Sequence, residues 1–198
     1  MKHSAFQLTA TATLSALTLL LGLTPLGIIP LGFINVTILA IPVIIGTLSL
    51  GLKSGLALGL SFGLASLFRA FTSPSGLVAP LLQNDPALVA LMCIIPRLLI
   101  PVSASVVYRA SQRNQMTRKI ALPLAAVAGS LTNTVFYLGL MLAFYMAAGL
   151  NAEAILTLIS TTAAIAGGCE ALAAAILTAP IVTAVSKITF ISKRQEGQ

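Results

Sequence analysis

Apolar residues fall along this chain in runs of helix length, broken by short stretches where Pro, Gly, Ser and the charged residues gather. A helix needs about 20 consecutive apolar residues to cross a bilayer. The runs predict six spans, at residues 8–23, 36–50, 56–71, 87–108, 120–147 and 169–186. The expected fold class is an all-α integral membrane protein, with residues 1–198 as a single membrane domain. The first run carries Ala12 and Ala16, four apart, the spacing at which small residues let another helix backbone come close. That face packs either on a neighbour in the same chain or on a separate membrane subunit. Gly55, Gly59 and Gly63 repeat the pattern on the third run. Pro42, inside the second run, predicts a bend. After residue 152 the apolar sequence is longer than one span needs. Gly167-Gly168 divides it into a short helix at the outer surface, residues 155–166, and the sixth span.

One stretch departs from this regularity. Residues 24–35 contain Pro25, Gly27, Pro30 and Gly32, which interrupt any helix, yet the stretch stays apolar. Water-exposed loops are polar, and lipid does not tolerate unpaired backbone. An irregular apolar loop in this position is expected to fold back over protein, as the lid of a small-molecule pocket. Asn35 and Thr37 lead from it into the second span.

Composition removes the soluble alternatives. Of the 198 residues, 58% are hydrophobic and 8% are charged, where soluble domains carry roughly 25% charged residues. The mean hydropathy is +1.03. The net charge of +7 would raise nucleic acid as a partner for a soluble protein. Its distribution gives a plainer reason, because cytoplasmic segments of membrane proteins collect Lys and Arg. With the N-terminus inside, Lys2, Lys53, Arg109, Arg113, Arg118, Lys119, Lys187, Lys193 and Arg194 all fall on the inner side, while the outer loops hold only Asp85 and Glu153. Basic residues at both ends require an even number of spans, so six spans with both termini cytoplasmic are expected. Cys93 and Cys169 lie inside apolar runs without metal or redox spacing and read as buried packing residues. No cleavable signal peptide is expected.

That sorting leaves Arg69, Arg97 and Glu170 within apolar sequence. A charge in hydrocarbon costs a few kcal/mol even on the mildest scale, so such groups face protein or a wet cavity. Arg97 and Glu170 either form a buried ion pair or belong to a pocket that opens outward; Arg69 either snorkels to the outer headgroups or joins the same pocket. In the pocket reading, the Arg97 guanidinium grips a carboxylate through two parallel hydrogen bonds. Asn35, Thr37, Asn133 and Tyr137 supply neutral hydrogen bonds. Ser130, Asn133 and Tyr137 share one face of the fifth span by their spacing. Catalysis finds no support. The one histidine, His3, sits in the N-terminal tail, and no HExxH, GxSxG or GxxxxGK[ST] motif occurs. The chain is not expected to be an enzyme.

Residues 29–74 (IPLGFINVTILAIPVIIGTLSLGLKSGLALGLSFGLASLFRAFTSP), 94–102 (IIPRLLIPV), 128–134 (AGSLTNT) and 170–178 (EALAAAILT) together make the sequence resemble the substrate-binding S components of energy-coupling factor (ECF) transporters, which import vitamins into bacteria. Within that family it looks most like the group linked to pantothenate. The resemblance implies six membrane helices with both ends cytoplasmic, in a bacterial cell membrane, and an outward-facing vitamin pocket gated by the loop between spans 1 and 2. It implies that the face of Ala12 and Ala16 docks a membrane coupling subunit, with two separate cytoplasmic ATPases using the ATP. No cofactor and no nucleic acid are implied. Members similar to this chain often carry Pro where it has Phe33 and His where it has Ala40, both beside the expected pocket. The competing readings are an S component for another small vitamin and a structural or assembly membrane protein. A self-contained secondary carrier is disfavoured by the lack of a detectable inverted repeat.

Overall fold

The computed structural model describes residues 2–31, 34–150 and 152–195. Helix α1 (Lys2–Leu23) leads through a 3-10 turn (Pro25–Gly27) into an antiparallel hairpin, β1 (Ile28–Leu31) and β2 (Ile34–Thr37). There follow α2 (Ala40–Leu50), α3 (Leu52–Thr72), α4 (Ala79–Asn84), α5 (Pro86–Arg113), α6 (Gln115–Arg118), α7 (Ala121–Ala147) and α8 (Ala152–Gln195). Five helices, α1, α3, α5, α7 and α8, are long and apolar enough to cross a membrane. They turn large apolar side chains outward, among them Leu60, Leu64, Phe68, Val135 and Ile176. Such a surface suits lipid and not water.

The stretch expected to be an irregular lid is instead the hairpin, with Ile28 opposite Thr37 and Leu31 opposite Ile34. Its composition explains this. Ile28, Ile29, Ile34, Val36 and Thr37 are β-branched and favour strand, and pairing the strands satisfies the backbone groups along their shared edge without water. Residues 36 and 37 therefore belong to β2 and not to the second span, which begins at Ala40 and has 11 residues. Pro42 does not bend it. It sits in the first turn, where its missing N–H would have had no helical acceptor in any case.

Two further boundaries differ from the sequence reading. The turn between α2 and α3 needs only Gly51, at φ 99°, whose N–H bonds to Thr47 O at 3.0 Å, so α3 starts at Leu52. Helix α8 runs through Gly167-Gly168 as one element of 44 residues, and the expected break into a surface helix and a sixth span is absent. A glycine costs a helix about 1 kcal/mol, and Gly167 has a packing role: a Cβ there would lie 3.0 Å from Thr134 on α7. Of the cysteines, Cys93 is buried but Cys169 is exposed, contrary to the expectation for it.

The core forms around α2. Its residues Ala40 to Thr47 are all buried, and Val43 and Ile44 pack with Leu58, Phe62, Ile100, Ala104, Ala126 and Ala174. A helix that is apolar all round belongs in an interior. A second cluster, with Leu81, Val89, Met92, Cys93, Leu138 and Met141, closes the end nearer α4. There the Tyr145 hydroxyl donates to Leu77 O at 2.7 Å.

The glycines of α3 form its seam with α5. A Cβ at Gly55 would meet Pro101, at Gly59 the carbonyl oxygen of Arg97 at 2.6 Å, and at Gly63 that of Cys93 at 3.3 Å. One turn of α3 thus rides on each successive turn of α5, and Gly59 fixes the height of Arg97. Gly59→Ala must push the helices apart. Overpacking of this kind costs about 1–3 kcal/mol, so its thermal midpoint in detergent should fall, while Gly76→Ala, with nothing within 4 Å, should melt with the wild type. Equal midpoints for Gly59→Ala and wild type would remove the seam from the account.

Candidate functional site

Arg97 sits in the middle of α5, 8% exposed. Pro96, lacking an N–H, leaves the carbonyl of Met92 without its helical donor. The Arg97 Nη1 donates to that same oxygen at 3.1 Å. The proline opens an acceptor and the next residue fills it. Pro101 frees the carbonyl of Arg97 in the same way, at the point where Gly59 packs. The guanidinium carbon lies 4.5 Å from the ring centre of Tyr137 and 5.1 Å from that of Phe62. Two aromatic faces thus carry the charge where water does not, an arrangement worth up to about 2 kcal/mol when desolvated. Among the described residues the Arg97 Nε has no hydrogen-bond partner.

Glu170 lies on α8 and is bonded to the hairpin. Its Oε1 accepts from the Thr37 backbone N–H at 2.8 Å and from the Thr37 hydroxyl at 3.1 Å. Its Oε2 accepts from the Thr134 hydroxyl of α7 at 3.4 Å. One carboxylate thus ties β2, α7 and α8 together. Among the described residues it forms no ion pair with Arg97: both its oxygens are taken by threonines, and the Arg97 Nη1 is taken by Met92.

Between these groups is a cavity of about 240 Å³. Its polar lining includes Arg97, Asn133, Thr134, Tyr137, Thr37 and Glu170 in the interior, with Ser73 and Ser75 at an exposed rim. Asn133 is 6% exposed, and among the described residues its side-chain oxygen also has no partner. Arg69 lines the same cavity. Its Nη1 donates to Gly22 O and Thr24 O, both at 3.5 Å, so the guanidinium caps the last carbonyls of α1. Ligand pockets run about 300–1,000 Å³, so this cavity limits its guest to a small molecule.

Of the residues singled out in the sequence, the structure brings Thr37, Arg97, Asn133, Tyr137 and Glu170 to this cavity. Ser130 shares their helix face but not the cavity: it is 1% exposed, packed deeper, and its hydroxyl is unpartnered. Asn35 lies in β2, and its side chain falls outside the described residues. Phe33 also lies outside them, while Ala40 is buried at the start of α2 and does not line the cavity. Sequence reasoning missed Thr134 and Phe62. The first adjoins Asn133; the second lies between Gly59 and Gly63, on the α3 side that meets α5. Ala12 and Ala16 are exposed on α1, away from this site. Among the described residues no group of His, Cys, Asp or Glu could hold a metal ion.

Removal of the Glu170 carboxylate should release the hairpin. A hydrogen bond to a charged group contributes about 1.5–3 kcal/mol, so Glu170→Ala should raise amide exchange at Thr37 roughly 10- to 100-fold. Glu170→Gln keeps an acceptor oxygen and should raise it less. Hydrogen-exchange mass spectrometry resolves the segment, and an unchanged rate in Glu170→Ala would rule out the latch.

The ECF transporter, substrate-specific component family model matches residues 6–192. Comparison with curated proteins gave no match. The family match covers nearly the whole chain, so the chain belongs to the ECF transporter substrate-specific component family. It is a multi-pass membrane protein and a substrate-binding subunit of a transporter, not an enzyme.

Proposed function

We propose that this member of the ECF substrate-specific component family binds a small carboxylate-bearing vitamin, pantothenate first among the candidates, in the cavity between Arg97 and Glu170. One observation carries the reading. Arg97 and Asn133 line the same cavity, and among the described residues Arg97 Nε and Asn133 Oδ1 are buried without a hydrogen-bond partner. Each unmet group costs about 1–3 kcal/mol. A guest with a carboxylate and an N–H or O–H would supply both missing partners. Charge points the same way, since Arg69 and Arg97 face a single carboxylate, Glu170, across the cavity. Pantothenate has a carboxylate, hydroxyls and an amide, which is the complement of this lining.

The family implies an ECF module of a membrane coupling subunit and ATPases as partners. In this reading the short α2 is the sixth membrane segment, both termini are cytoplasmic in a bacterial cell membrane, and the cavity opens outward. The support is distribution. The cavity is built at the ends of α1 and α3 that hold Gly22 and Arg69, whereas Lys53, Arg109, Arg113, Lys119 and Lys187 sit at the opposite helix ends. Ala12 and Ala16 form the docking face, and their exposure supports that role.

The test is a titration of the purified protein with a panel of B vitamins. Truncating one partner of a buried charge interaction costs about 2–5 kcal/mol, so Arg97→Ala should weaken the best ligand by about 30-fold or more while the protein still folds in detergent. Unchanged affinity would take Arg97 out of the site. A protein that binds none of the panel, and co-purifies with no vitamin by mass spectrometry, is the result expected of an assembly protein. Separately, Ala12→Trp and Ala16→Trp should block uptake by cells and spare binding; normal uptake by both variants would reject that docking face.

A further inference from the structure

A second feature lies at the other end of the molecule, where α7 begins and α8 approaches its end. A groove of about 550 Å³ opens there, lined by Lys119 and Lys187 and floored by Leu122, Pro123, Ala179 and Pro180. The two lysines come from different elements and both are exposed. Among the described residues no Asp or Glu lines the groove and neither ammonium has an acidic partner. Helix α7 starts at Ala121 with no side-chain cap, so the positive end of a 27-residue helix lies next to Lys119 and adds to the same field. Like charges brought to one groove repel unless an anion lies between them.

The walls narrow the choice of anion. A soluble phosphate would need a polar cup, but here, among the described residues, Thr183 is the one hydroxyl in a floor that is otherwise apolar, and Ile120 and Ile176, in the same two stretches of chain, are exposed. Such residues suit acyl chains. We propose that the groove binds an anionic phospholipid of the leaflet at this basic end, its phosphate bridging Lys119 and Lys187 and its chains descending over α7 and α8. Basic pockets between membrane helices on the cytoplasmic side are suited to such headgroups. The proposal is independent of which substrate the outer cavity takes.

Native mass spectrometry of the delipidated full chain in mild detergent tests it. Phosphatidylglycerol should give adducts at least 10-fold more readily than phosphatidylcholine with the same chains, and inorganic phosphate should not displace them. The variant with both Lys119→Gln and Lys187→Gln should lose that preference several-fold, and the one with both replaced by Arg should keep it. The variant with both Arg109→Gln and Arg113→Gln, changed at the same end but outside the groove, should bind as the wild type does. Equal adducts from the two lipids would overturn the proposal. So would displacement by inorganic phosphate, or an equal loss in the variant with Arg109→Gln and Arg113→Gln, since the first makes the site one for a free anion and the second makes the attraction a property of the whole basic surface.

Discussion

A guanidinium inside an apolar bundle must be solvated by the protein itself, and the solution adopted by α5 sets most of the geometry around the cavity. Placing such a charge in hydrocarbon costs about 2.5–3.5 kcal/mol even on insertion scales. Pro96 and Pro101 each withhold an N–H from α5, which would ordinarily weaken it. Here the first freed carbonyl accepts from Arg97, and the second belongs to Arg97 and faces Gly59. The rings of Phe62 and Tyr137 complete the shell. Local weakness in one helix thereby becomes the means of holding a cation at a fixed depth, with Nε left over.

Arg97 and Glu170 are held apart in the cavity. A direct pair would satisfy both and fill the space between them, and its attraction would be largely offset by desolvation. Instead Glu170 uses its oxygens on Thr37 and Thr134, and Arg97 uses Nη1 on its own helix. In the proposed reading the carboxylate holds the wall and the guanidinium keeps capacity for a guest, a division of roles that a buried ion pair would not leave open.

The sequence made much of this legible, for identifiable reasons. Membrane character, the long helices and the glycine seam follow from periodicity and composition, which local chemistry controls. Arg97, Asn133, Tyr137 and Glu170 stood out because polar groups in apolar runs demand an explanation. What was not legible depends on tertiary context. Ser130 lies on the same helical face as Asn133, but face alone does not say which turn borders a void. Gly167-Gly168 reads as a break until α7 is seen packed against it. Cys169 was expected inside because its run is apolar, but in a bilayer apolar sequence covers the outside as well as the core. The hairpin was missed because Pro and Gly punctuate a strand pair as readily as a loop.

The hairpin itself follows from the length of α2. Eleven residues rise about 16 Å, near half of a hydrocarbon core of roughly 30 Å. The chain arriving from α1 must therefore travel inward to reach the start of α2 at Ala40. The Thr37–Glu170 contact marks how far, since Glu170 lies at the middle of the apolar stretch Ile155–Val185 of α8. Backbone at that depth cannot rely on water and is tolerated only where it is covered by protein or lines a cavity. Pairing β1 with β2 satisfies the N–H and C=O groups along the edge that the two strands share, and the Thr37 N–H finds the Glu170 carboxylate. A short α2, buried from Ala40 to Thr47, and a two-stranded segment before it are therefore one solution to one constraint, and the cavity is the space they leave beside α5 and α7.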